Sequence, residues 1–192
     1  MKNKIKSVAV YCGHQSGGNP EYVRDAQRVG ELLAYHKFTL VFGGGDVGLM
    51  GAVATAALNN GGKVIGVSTK CVISMQEPIH AGVETKITKG LSARKQKMYD
   101  ISDAFVILPG GIGTLDEMTD IMTKQQVGET CKPIFVLNTG KYWEIFGHLM
   151  TYMQQELFMP DLETYNLHIV NTPDDLIRNL LNSDKFFLKC NY

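Results

Sequence analysis

The sequence predicts an α/β fold, a doubly wound parallel sheet with helices on both faces in a single domain, and three observations carry that expectation. Apolar, β-branched runs recur along the chain, each is followed by a turn or glycine loop and a helix-like segment, and the runs lack polar alternation. Strands buried on both faces of a parallel sheet read as such continuous apolar stretches. Strands alternating with helices require right-handed crossovers. The 192 residues suit one domain with a full core, so residues 1–192 are taken together.

The elements follow in order. A first strand in "SVAVY" leads through "CGHQSGGNP" to a helix over residues 19–36, where Val23, Ala26, Val29, Leu32 and Leu33 recur at helical spacing. A second strand lies in "FTLVFGGGDVGLMG", and residues 47–60, rich in Ala, Leu and Met, form its helix. "GKVIGVS" is a third strand, and "LSARKQKMYD" reads as a helix over 91–101. "DAFVILPGGIGTLDE" supplies a fourth strand and a helix over 115–127; "KPIFVLN" is the fifth, followed by helices over 141–157 and 173–183. Leu176, Ile177, Leu180 and Leu181 pack the last helix onto the sheet. Met118, Met122, Met150 and Met153 suit either the core or a contact between subunits. There is no internal repeat, low-complexity tract or linker.

Composition narrows the function classes. Lys+Arg and Asp+Glu balance at 19 each, so no global field favours nucleic acid or an anionic membrane, and an anion must be recognised locally. No apolar segment reaches the roughly 18–20 residues needed to span a bilayer, and the N-terminal apolar run is too short for a signal peptide. Cys12, Cys71, Cys131 and Cys190 are scattered without paired spacing, which suggests reduced thiols and a cytoplasmic protein. The five histidines show no ligand spacing, so no metal site is expected.

Several glycine loops are candidates for phosphate. Gly43, Gly45 and Gly48 spell GxGxxG after a strand, but a dinucleotide site also needs an acid about 20 residues on, at the end of the next strand. That strand ends "VIGVSTK", with no acid before Glu77, and Gly62-Lys63 is followed by Val64, so neither a dinucleotide fingerprint nor a Walker A loop is complete. The glycines serve equally as a tight turn or as ligand contacts. Gly13, Gly17 and Gly18, with His14 and Ser16, form a similar loop in which His14 suits a loop hydrogen bond.

"PGGIGT" is more telling. Gly110, Gly111 and Gly113 let backbone N–H groups turn towards one point, and the helix behind adds about half a positive charge. Thr114 can cap that helix, and Thr114-Leu115-Asp116-Glu117 spells a capping box in which Glu117 reaches back to the Thr114 N–H. Asp116 favours the helix dipole in any case. Arg94, beside Lys95 and Lys97, suits either a solvated basic face or a site. The local pattern leaves Glu117 and Arg94 open between structural and functional roles.

Taken together, "YCGHQSGGNPEY", "LVFGGGDVGLMGAVATAAL", "GGKVIGV", "ARKQKM" and "DAFVILPGGIGTLDEM" are similar, in order, to the LONELY GUY family over about residues 5–140. Those proteins are cytokinin riboside 5'-monophosphate phosphoribohydrolases, many once labelled possible lysine decarboxylases; nothing in the chain resembles a pyridoxal-phosphate enzyme. The resemblance implies a Rossmann-like nucleotide-binding domain, a nucleotide substrate, no cofactor, and a homodimer or higher homo-oligomer. It implies Arg94 and Glu117 as catalytic residues and Gly110, Gly111, Gly113 and Thr114 as the phosphate loop, with Gly13, Ser16, Gly44, Gly45, Lys95 and Met98 as further substrate contacts. Leu91, Ser92 and Ala93 depart from the Met-His-Glu usual before the arginine, and His14 departs in the first loop; these bear on base preference. Two other readings are a carrier of a phosphorylated nucleotide or cofactor, like molybdenum cofactor carriers, and a nucleotide-sensing module.

Overall fold

The computed structural model describes residues 5–75 and 80–186 of the chain. Seven strands form one sheet, all pairs parallel: β1 (Ser7–Tyr11), β2 (Thr39–Phe42), β3 (Val64–Thr69), β4 (Thr85–Thr88), β5 (Ala104–Ile107), β6 (Ile134–Leu137) and β7 (Leu167–Val170). Their order is β4-β3-β2-β1-β5-β6-β7. The winding reverses at β1, which lies between β2 and β5, so the carboxyl ends of β1 and β5 flank a crevice of the kind that holds ligands in open α/β sheets.

The helices are α1 (Pro20–Tyr35), α2 (Gly48–Asn59), α3 (Lys70–Met75), α4 (Leu91–Asp100), α5 (Ile112–Gln126), α6 (Glu144–Gln155) and α7 (Pro173–Leu181). Alternation of side chains along the strands builds two apolar layers. Val8, Leu40, Phe42 and Val106 face α1, α2 and α7, whereas Ala9, Val41, Phe105 and Ile107 face α4, α5 and α6. The doubly wound sheet is therefore as expected, with helices on both faces.

Three elements were not legible. β4 and β7 are edge strands with mostly half-exposed residues, so they lack the continuous apolar signature of the central five. The six-residue α3 buries none of its residues and has no amphipathic pattern to read. Met118, Met122 and Met150 lie in the core, with Met153 packed against it, which settles their role in favour of packing. Cys12 and Cys71 are free, but Cys131 is disulfide-bonded, a correction to the expectation of four reduced thiols. Spacing along a chain does not say which side chains a fold brings together; Cys190 and Glu77 lie outside the described residues. Among the described residues, no helix is long and apolar enough to cross a membrane.

Helices α1 and α2 meet through Gly30, where an added Cβ would lie 2.3 Å from the Val53 carbonyl oxygen and 3.0 Å from Ala57 N. Alanine gains about 1 kcal/mol of helix propensity, but a backbone carbonyl cannot move aside. Gly30→Ala is expected to destabilise the fold by about 2 kcal/mol through overpacking, read as a lower urea midpoint at unchanged slope.

Candidate functional site

The sheet's switch point opens into a cavity of ≈ 550 Å³. Its walls come from the end of β1 (Tyr11, Cys12) and the loop Gly13–Gly17, from Gly43, Leu49 and Met50, and from the loop and first turns after β5, Pro109 to Thr114 and Glu117. Val72, Leu91 and Arg94 close one side, Tyr22 and Tyr142 another.

The glycine loop after β5 is held in place by its neighbours. Gly13 N donates to the Pro109 carbonyl at 3.0 Å, tying the loops after β1 and β5 together. Thr114, buried, packs on Gly110 so closely that a Cβ there would meet its Oγ1 at 2.2 Å. Gly111 and Gly113 face open space. Gly111 is the N-cap of α5, extended at φ −95° and ψ −154°, and no side chain caps the helix. The first intrahelical bond runs from Leu115 N to Gly111 O, so among the described residues the N–H groups of Ile112, Gly113 and Thr114 have no acceptor. A helix head left open in this way attracts anions.

The expected capping box is absent. The helix begins at Ile112, two residues before Thr114, so Glu117 lies in the second turn instead of at its third position. Among the described residues no hydrogen bond joins its carboxylate to the Thr114 N–H. Its side chain, 8% exposed, instead meets Arg94: Nη1 donates to Oε1 at 2.8 Å. Arg94 also donates from Nε to the Val67 carbonyl at 3.0 Å, which anchors the guanidinium on β3. Its other amino group passes Gly43, where a Cβ would come within 2.4 Å of Nη2, so only glycine leaves this passage open.

Burial pushes the Glu117 carboxyl up from 4.5 to about 7, against the downward pull of Arg94. Desolvation disfavours the charged form, and the single arginine offsets it only in part. Burial likewise raises the Cys12 thiol and the Tyr11 phenol, with Glu117 adding to both, so these neighbours stay neutral. The cavity floor thus carries one carboxylate that titrates near neutrality, one fixed guanidinium, and an open helix head.

Of the residues expected at a site, the fold brings Arg94, Glu117, Gly110, Gly111, Gly113, Thr114, Gly13 and Ser16 to this cavity. It does not bring Gly44, Gly45, Lys95 or Met98 to its lining. Met98 is fully buried in the core. Lys95 Nζ binds Asp116 at 2.9 Å and Asp120 at 3.2 Å, clamping α4 to α5 and accounting for Asp116. His14 lines the cavity, as do Tyr22 and Tyr142, which the sequence offered no signal to find. Among the described residues no cluster of His, Cys, Asp and Glu could hold a metal ion.

A family model described as "possible lysine decarboxylase" matches residues 50–180. A cytokinin riboside 5'-monophosphate phosphoribohydrolase of Mycobacterium marinum is 39% identical over 172 residues, covering 90% of this chain and 91% of that protein. One of the same name from Rhodococcoides fascians is 39% identical over 139 residues, 72% of this chain and 70% of that one. Among solved structures, the molybdenum cofactor carrier protein of Chlamydomonas reinhardtii superposes with a TM-score of 0.68 at 20% identity, covering 95% of this chain and 98% of that one. That likeness shows a shared fold.

Arg94 is what holds the Glu117 carboxyl down. Replacing it with methionine keeps the stem's packing and removes the charge, so Glu117 is expected to titrate higher than about 7 in Arg94→Met. Carboxyl carbon-13 shifts followed against pH measure this, and an unmoved or lowered midpoint would contradict the electrostatic account.

Proposed function

Because the chain belongs to the family that joins the description "possible lysine decarboxylase" to relatives named cytokinin riboside 5'-monophosphate phosphoribohydrolases, we propose that it hydrolyses the N-glycosidic bond of a nucleoside 5'-monophosphate, releasing free base and ribose 5-phosphate. The observation that carries this reading is the buried Arg94–Glu117 pair facing the open head of α5 in one cavity. The decarboxylase description fits the site poorly. A carbonyl-type cofactor needs a lysine to hold it, no lysine is among the residues described as lining the cavity, and Lys95 is bound to two carboxylates outside it.

In the proposed reaction the phosphate sits on the N–H groups of Gly111, Gly113 and Thr114, and the ribose lies over the first turns of α5 with C1' near Glu117. Breaking the C1'–N bond builds oxocarbenium character on the sugar. The Glu117 carboxylate stabilises that charge and takes a proton from the water whose oxygen bonds to C1'. The electron pair of the broken bond leaves with the base, which takes up the proton that Glu117 removed from water, and the carboxylate is restored. Arg94 steadies the carboxylate and stabilises negative charge growing on the base. The distant phosphate supplies orientation used at the transition state.

Leu49, Met50, Val72 and Leu91 offer apolar surface to the base and suit an adenine carrying an apolar N6 substituent. The reading includes a cytoplasmic location and a homodimer or higher homo-oligomer. One face of α6 supports self-association, since Ile145 is 80% exposed and Leu149 and Tyr152 follow at helical spacing.

Wild type is expected to release base and ribose 5-phosphate from AMP and from its N6-isopentenyl analogue. Glu117→Gln keeps the side-chain shape and is expected to lose about 10²–10⁴ in kcat. Binding of AMP by a folded wild type without base release from either substrate would favour a carrier. A Glu117 that must be ionised makes kcat/KM fall about tenfold per pH unit below its midpoint, which burial places at about 7. A pH profile flat from 5 to 8 would remove Glu117 from the chemistry.

A further inference from the structure

The loop that meets the phosphate in the reading above is built from glycines, which raises the question of what stops its peptides from rotating. Three contacts hold it, and two of them come from elements distant in sequence. The Pro109 carbonyl accepts from Gly13 N, Gly110 is wedged against Thr114, and the Tyr142 hydroxyl donates to the Gly110 carbonyl at 2.6 Å.

That last bond acts on the ligand side as well. A trans peptide is planar, with its carbonyl and N–H pointing in opposite directions. Holding the Gly110 oxygen therefore holds the Gly111 N–H antiparallel to it. Gly111 is the uncapped N-cap of α5, and a Cβ on it would meet nothing within 4 Å, so on the Gly111 side no side chain packs against that peptide.

The backbone is distorted to deliver Tyr142. Gly140 and Lys141 sit consecutively in the left-handed region, at φ 57° and 63°, where a non-glycine residue such as Lys141 costs about 1 kcal/mol or more. Glycine suits position 140 because its φ of 57° lies where L side chains are strained whatever the space around them. The ring is then braced edge-on by Tyr22 at 5.6 Å and by Trp143 at 5.0 Å. Strain of this kind persists where the surroundings over-determine a functional placement, and Tyr142 itself stays 40% exposed, so burial does not explain it.

We propose that Tyr142 is a positioning residue for the anion-binding loop: its hydroxyl fixes the Gly110–Gly111 peptide and with it the N–H groups that select a 5'-phosphorylated ligand. The proposal rests on the head of α5 being the phosphate site. Tyr142→Phe removes the hydroxyl and keeps the ring. Calorimetric titration with ribose 5-phosphate and with adenosine, in wild type and variant, separates the hydroxyl's role from packing. Ribose 5-phosphate affinity is expected to weaken about tenfold in Tyr142→Phe, with adenosine affinity and melting temperature unchanged. Equal ribose 5-phosphate affinity in the two proteins, equal weakening of both ligands, or no ribose 5-phosphate binding by wild type would each overturn it. If wild type releases no base from AMP while the tenfold selective loss is found, the hydrolase reading falls and the role of Tyr142 stands.

Discussion

The ion pair between Arg94 and Glu117 is the constraint on which the rest of the molecule depends. Taking a guanidinium and a carboxylate out of water costs several kcal/mol per ion, which their attraction repays only with good geometry and further hydrogen bonds. Here the geometry draws on four elements: α4 carries Arg94, α5 carries Glu117, β3 offers the Val67 carbonyl, and the end of β2 supplies the gap at Gly43. The repayment is incomplete, since the carboxyl is held at about 7 and not below 4.5. A carboxyl raised on folding contributes most below its unfolded value, and that contribution is lost as pH rises from about 4.5 towards about 7. An ionised Glu117 is thus a standing cost, and the two apolar layers of the sheet must hold it in place.

The central sheet was legible because its strands are buried on both faces, and hydrophobic pattern reports burial. The edges were not, for the same reason: β4 and β7 have one side open. At the site, the residues that the resemblance implied at Arg94 and Glu117 do converge, but local pattern alone could not have paired them, since 23 positions separate them. Lys95 and Met98 share the helix of Arg94, yet rotation about the helix axis sends one to Asp116 and Asp120 and the other into the core. A motif names a segment; the 3.6-residue period decides which member faces the cavity. Tyr142 was invisible because its contact with Gly110 spans 32 positions and depends on two left-handed residues before it.

Two helix heads at the switch point look alike in sequence and differ in physics. Both follow a strand and a run of glycines. At α2, the Gly13 carbonyl accepts from Leu49 N at 3.1 Å and from Met50 N at 3.3 Å, so the loop after β1 has already consumed that head. At α5, no carbonyl among the described residues does the same for Ile112, Gly113 and Thr114. The GxGxxG spelling at Gly43, Gly45 and Gly48 therefore marks a packed turn, with Gly48 close against the His14 carbonyl, whereas the loop at Gly110 keeps its donors for something else.

The start of α5 also bears on how the proposed phosphate and a carboxylate can share one helix end. Had the helix begun at Thr114, Glu117 would occupy its first turn and compete with an anion for the same N–H groups. Beginning at Ile112 moves the carboxylate one turn further along. Six residues separate Gly111 from Glu117, about 9 Å along the axis at about 1.5 Å per residue. Helical side chains lean towards the N-terminus, which shortens the gap between the carboxylate and the helix head. Two unit charges about 8 Å apart repel by about 2 kcal/mol at an effective dielectric near 20. Arg94, 2.8 Å from the carboxylate, works against that repulsion, and the open N–H groups favour the anion. In the proposed reaction, the spacing that keeps the phosphate and the carboxylate apart is also the room a ribose needs between them.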